Sequence, residues 1–153
     1  MNDLVVRLVL LGQVLSTCYM TGLIWFVQVV HYPLMNVTGT AEFTSYEARH
    51  TTLTTWVVGP PMLLEISTAF LLLTYRPTGI SSVYAWGGLL LIGVIWISTA
   101  TLQVPCHQIL SNGFNETIHG RLVATNWIRT IAWSLRAALV IAMVWMTWDV
   151  RRA

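Results

Sequence analysis

The chain has 153 residues, 56% of them hydrophobic and only 9% charged, with a mean hydropathy of +0.67 and a formal net charge of +2. Soluble domains carry about 25% charged residues, so this composition excludes a water-soluble globule and implies an integral membrane protein, with room for one domain, 1–153. The positive charge is eight scattered arginines and no lysine, which excludes the clustered basic face of a nucleic-acid binder.

A bilayer core roughly 30 Å thick takes about 20 apolar residues per helical span. The first such stretch, Leu4–Val30, is too long for a signal-peptide core and is preceded by Asp3, with only Arg7 nearby. It therefore reads as a retained helix. His31 closes it, and Pro33 follows as a stop signal. A polar loop comes next, in which Ala41–Thr52 reads as a short extra helix with Thr40 as N-cap and Glu42 in its first turn. That helix can run on into the second span, Trp56–Tyr75, with an interruption at Gly59-Pro60-Pro61, where a double proline removes helical hydrogen bonds and predicts a kink. The turn Pro77-Thr78-Gly79 leads to the third span, Ser82–Leu102, and Pro105 and Gly113 punctuate the loop before the fourth, Leu122–Trp148. The expected fold is an all-α four-helix transmembrane bundle with a short extra helix in the first outer loop.

Four spans put both termini on one side, with Arg7, Arg76, Arg151 and Arg152, while the opposite loops carry Arg49 and Arg121. The positive-inside rule places the termini in the cytoplasm and the long loops, 31–55 and 103–121, outside. Trp25, Trp56 and Trp127 then mark the outer interface, and Trp86, Trp145 and Trp148 the inner one. The outer loops also hold Asn36-Val37-Thr38 and Asn115-Glu116-Thr117, which match the glycosylation acceptor pattern and matter only in a eukaryote. Cys18 and Cys106 differ in depth by about 12 residues, or roughly 18 Å of helix, beyond the ~7 Å reach of a disulfide. Cysteine usage therefore says nothing about the redox compartment.

In lipid, polar side chains turn toward the bundle interior. Helical spacing gives four polar stripes: Gln13, Thr17, Thr21, Gln28 and His31; Glu47, His50, Thr54, Pro61, Glu65 and Thr68; Thr99, Gln103 and His107; His119, Asn126, Arg129, Trp133 and Arg136. Each segment brings one of the four histidines to the same end of the bundle. His31, His50, His107 and His119, with Glu47, are candidate metal ligands. Each also has a plain alternative as a hydrogen-bonded residue of a polar rim, and for His119, in a polar loop, the plain reading is the stronger. Glu47-x-x-His50 places a carboxylate and an imidazole on one helix face, the pairing that di-metal bundles use twice. Only one copy exists here, so a mononuclear site is expected. Imidazole suits iron, copper and zinc alike, and paired histidines can also hold a haem iron.

Deeper in, Glu65 and Arg129 match in depth within ~3–4 Å if counted from the expected starts of spans two and four. An ionised side chain at mid-bilayer costs at least ~2.5–3.5 kcal/mol, so a Glu65–Arg129 pair is expected as the catalytic floor of the site. Glu65 can equally be a structural brace. Arg136 has no evident acidic partner.

Gln103-Val104-Pro105-Cys106-His107 followed by Leu110, Asn126-Trp127-Ile128-Arg129-Thr130, and His31-Tyr32-Pro33 together resemble motifs of the anthrone-oxygenase-like family of small four-span membrane proteins. The resemblance covers most of the chain on short motifs. It implies a four-helix membrane bundle and oxidative chemistry on aromatic compounds. Glu47-x-x-His50 departs from the family's pattern.

The residues point first to a membrane oxidoreductase that binds a transition metal (iron, copper or zinc) or haem and acts on a lipid-soluble molecule such as a quinone or aromatic compound. The competing reading is a non-catalytic small subunit of a larger membrane complex, which the many aromatic residues and small loops fit equally well. A transporter is less favoured, because four spans enclose little pore, unless the chain forms a homo-oligomer.

Overall fold

A computed structural model describes residues 3–39 and 41–149, with side chains through 147. The expected N-cap Thr40, the indole of Trp148, and Arg151 and Arg152 lie outside the described residues. Helix α1 spans Asp3–Phe26 and continues through a π-helical turn, Val27–His31, into α2, Tyr32–Leu34, and a 3₁₀ turn, Met35–Val37. Helix α3 spans Phe43–Thr74 and α4 Ser82–Ser98. A second π-helical turn, Thr99–Gln103, joins α4 to α5, Val104–Leu110, and α6 covers Glu116–Asp149. Among the described residues there is no strand, and four helical rods are long and apolar enough to cross a membrane. The four-span all-α expectation is borne out.

The rods are longer than expected, and the loops correspondingly shorter. Residues 43–52 are the first turns of α3: the helix expected there runs straight on into the second span, and the separate short helix is not confirmed among the described residues. The long loops expected at 31–55 and 103–121 are mostly helix; among the described residues only 38–39, 41–42 and 111–115 lie outside it there. The reason lies in the prolines. Pro33 and Pro105 cannot donate to a carbonyl four residues back, and their rings crowd it. Each is preceded by a π-helical turn in which the bond spans five residues: Tyr32 N–H reaches the Val27 carbonyl and Val104 N–H the Thr99 carbonyl. The helix absorbs the proline instead of stopping. Pro60 and Pro61 likewise lie inside α3, which runs on through both. The true stop after α5 is Gly113, at φ +139°, whose N–H bonds the Leu110 carbonyl at 3.0 Å.

The rods form a ring: α1 packs on α3, α3 on α4, α4 on α6 and α6 back on α1. Along the bundle axis, apolar and polar layers alternate. At the termini end, Val9, Leu10, Leu72, Ile80 and Met143 form one apolar cluster. Met20, Ile24, Met62, Ile95, Ala132 and Trp133 form the middle one. Tyr32, Met35, Phe43, Cys106, Leu110 and Leu122 fill the far end. Buried polar side chains occupy the levels between them, and large apolar side chains such as Leu15, Trp56, Leu90 and Trp145 cover the outside, as lipid contact requires. Cys18 is exposed and Cys106 buried, and both are free.

Candidate functional site

At the far end, three helical segments bring ligand-type side chains together. Glu47 and His50, one turn apart near the start of α3, share a face. His107 comes from α5, one turn beyond the π-helical Gln103. Ligand atoms of Glu47, His50 and His107 all lie within 4.8 Å of one another. Glu47 is fully buried, and its Oε1 stands 2.5 Å from His107 Nδ1. Its other oxygen, Oε2, has no hydrogen-bond partner among the described residues. A buried carboxylate oxygen is costly to leave unpaired.

His31, the last residue of the first π-helical turn, stands beside the group, with its Nε2 3.0 Å from His50 Nδ1. The Thr54 hydroxyl also meets His50 Nδ1, at 3.2 Å, and the Tyr46 hydroxyl meets His31 Nε2 at 3.5 Å. The Tyr32 hydroxyl lies 3.1 Å from His107 Nε2. Bonds of about 2.0–2.2 Å at a tetrahedral centre set neighbouring ligand atoms about 3.3–3.6 Å apart. To share an ion, Glu47 and His107 would part by about 1 Å while ligand atoms as far as 4.8 Å apart draw together by a similar amount.

His119 does not join this group. Its Nε2 donates to the Tyr32 backbone carbonyl at 2.7 Å, and it is buried. A carbonyl only accepts, so this nitrogen carries the proton and braces the start of α2.

The deeper pair is not Glu65–Arg129. Glu65 Oε1 accepts from Arg136 Nε at 2.9 Å and from the Thr17 hydroxyl at 2.7 Å, and Oε2 accepts from Trp133 Nε1 at 3.1 Å. Arg136 also donates to the Gly88 carbonyl and, at 3.4 Å, to Thr17. Gln13 donates to Thr17, and Thr68 donates to Gln13. All four rods thus meet in one network. The expected partner was wrong because the helix starts were misplaced. Counted from Phe43 and Glu116, where α3 and α6 begin, Glu65 and Arg136 stand within about 3 Å of the same depth, and Arg129 stands about 10 Å nearer the far end.

Arg129 instead lies in a second polar layer. Its guanidinium packs over the Trp133 ring, 5.4 Å from the centroid, and interacts with the Tyr32 phenol. In the same layer the Gln28 carbonyl oxygen accepts from Asn126 at 2.9 Å and Thr130 at 3.4 Å, and Gln103 donates to Thr125 at 3.1 Å.

Sequence reasoning named His31, Glu47, His50 and His107, which the fold gathers, and passed over Tyr32 and Tyr46. Each tyrosine adjoins a candidate ligand in sequence, which is the signal that could have found it. Comparison with protein-family models, curated proteins and solved structures finds no match to this chain.

Proposed function

We propose that the chain is a membrane metalloprotein whose site is built from Glu47, His50 and His107, and that it acts as an oxidoreductase on a lipid-soluble molecule. One observation carries this reading: two imidazoles and a fully buried carboxylate with an unpartnered oxygen lie within 4.8 Å of one another. Two histidines and one carboxylate are the donor set that holds ferrous iron in non-haem oxygenases while leaving positions open for dioxygen and substrate. The sequence resemblance to anthrone-oxygenase-like proteins supports the same chemistry and an aromatic or quinone-like substrate. Copper and zinc suit imidazole as well. A bare ion fits better than haem, because a porphyrin would have to part side chains that touch here, His31 from His50 and Tyr32 from His107.

His31 stands where it could complete the donor set or hand a proton to His50. Tyr32 and Thr54 orient the ligand imidazoles, the role that hydrogen-bond partners of metal-bound histidines serve. His119 serves the site at one remove, through the Tyr32 backbone.

Metal analysis of the full chain purified in detergent, before and after anaerobic loading with ferrous iron, tests the reading. Stoichiometric metal that is lost in His107→Ala and Glu47→Ala, with a nitrosyl EPR signal from the iron form, is expected. A colourless protein that takes up no metal under any loading condition, and is stable only alongside another membrane protein, would leave the small-subunit reading in its place.

A further inference from the structure

The layer between the middle and far apolar clusters holds a cation that the fold does not neutralise. Arg129 is 8% exposed, and its Nε has no partner among the described residues. The chain has six acidic residues. The two ion pairs among the described residues use Glu47 and Glu65, each with another partner. Among the described residues, the partners of Arg129 are the face of Trp133 and the phenol of Tyr32. A guanidinium at this depth without a carboxylate is costly, and intramembrane charges of this kind mark ligand paths. Arg136, about 10 Å deeper on the same helix, shows what the fold supplies when a cation is structural: a carboxylate, a hydroxyl and a backbone carbonyl.

The neighbours of Arg129 are under-satisfied too. Asn126, one turn before it on α6, is fully buried with Oδ1 unpaired, and Gln103, 1% exposed, leaves Oε1 unpaired. Gln103 bonds Thr125 next to Asn126, which ties it to this stretch of α6. Three buried polar side chains with open hydrogen-bonding capacity in one layer are unusual, since buried polar groups are nearly always paired. Apolar side chains bound the layer on both sides: Ile24, Ile95 and Trp133 on one, Cys106 and Leu122 on the other.

We infer that Arg129 binds the oxyanion headgroup of an apolar molecule, with Gln103 and Asn126 as the polar wall around it. One guanidinium fits one negative charge, and the apolar layers fit a hydrocarbon body better than a hydrated ion. Tyr32 links this layer to the metal group: its phenol lies 3.1 Å from His107 Nε2 and interacts electrostatically with Arg129. The inference shares the lipid-soluble ligand of the proposed function and does not require the metal.

The test is calorimetric titration of the full chain, in neutral maltoside micelles, with laurate, dodecanol and dodecylammonium. Saturable laurate binding is expected, with the alcohol and the amine failing to saturate. Arg129→Gln should weaken laurate by about tenfold or more, the worth of a hydrogen bond to a charged group, and Arg129→Lys should retain most of it. Dodecanol binding as tightly as laurate would overturn the inference, as would unaltered laurate binding in Arg129→Gln. If Arg129→Gln does not give a monodisperse protein, Arg129→Lys and the alcohol comparison decide. Metal content is measured on the same preparations. Laurate binding without metal sinks only the proposed function, and metal without laurate binding sinks only this inference.

Discussion

The buried polar groups near the termini end and those toward the far end sit at different levels of one bundle, and they differ in how fully they are used. In the cluster around Glu65, both carboxylate oxygens accept hydrogen bonds, and Arg136 donates to a carboxylate, a hydroxyl and a backbone carbonyl. Around Glu47 and in the Arg129 layer, a carboxylate oxygen, two amide oxygens and a guanidinium nitrogen lack partners. A saturated network ties helices together and has nothing left to offer a ligand. A partly satisfied one costs stability and is tolerated where something else binds. On the proposed function, the comparison makes Glu65 part of the scaffold and Glu47 part of the metal site.

The largest test strikes the saturated cluster. Glu65→Leu leaves Arg136 buried and unpaired, and should cost about 3–5 kcal/mol, read as lost thermal stability in detergent. Glu65→Leu combined with Arg136→Leu should recover most of that loss, because an apolar pair can replace a buried ion pair. If the double variant is as unstable as the single one, the scaffold reading of Glu65 fails. At the other cluster, saturating ferrous iron or zinc should stabilise the unaltered chain by about 2.7 kcal/mol at a hundredfold excess over the dissociation constant. His107→Ala and His50→Ala should abolish that gain while Arg136 and Glu65 variants that still fold keep it.

Smaller effects sharpen the boundary between the clusters. A Cβ at Gly88 would stand 3.2 Å from the Arg136 guanidinium that bonds the Gly88 carbonyl. Gly88→Ala should therefore cost about 1–2 kcal/mol by crowding, with metal uptake unchanged. His119→Ala removes one bond to the Tyr32 carbonyl and should cost about 1 kcal/mol, again with metal retained. Metal lost from His119→Ala to the degree seen for His107→Ala would return His119 to the ligand set.

Composition and hydropathy made the four rods legible, because a bilayer leaves few other ways to satisfy a backbone. The inward stripes were legible too: Gln13, Thr17, Gln28, Glu65, Asn126 and Arg136 are all buried. What failed was depth. Pro33 and Pro105 were read as punctuation, so the far-end helical turns became loops; separately, α3 and α6 begin earlier than Trp56 and Leu122, so Glu65 was matched to the wrong arginine. Proline marks a lost hydrogen bond, and the sequence does not say whether a longer bond takes over. His119 was held as a candidate ligand beside its stronger plain reading, and the plain reading is the one the fold bears out. Its spacing fits the histidine rim, but a backbone carbonyl that competes for its nitrogen has no sequence signature.

The two π-helical turns have a geometric consequence. Each winds one residue more into a turn than an α-helix does, and one residue is about 100° of rotation. Everything beyond Val27–His31 and Thr99–Gln103 is thereby re-aimed about the rod axis, His107 and Tyr32 included. Excising a single residue from either turn would restore the regular winding and swing the far-end imidazole or phenol by roughly a quarter circle toward the hydrocarbon, while the ion-paired floor kept its original bearing. The angular offset between the two levels of the bundle is thus written into two short stretches of backbone.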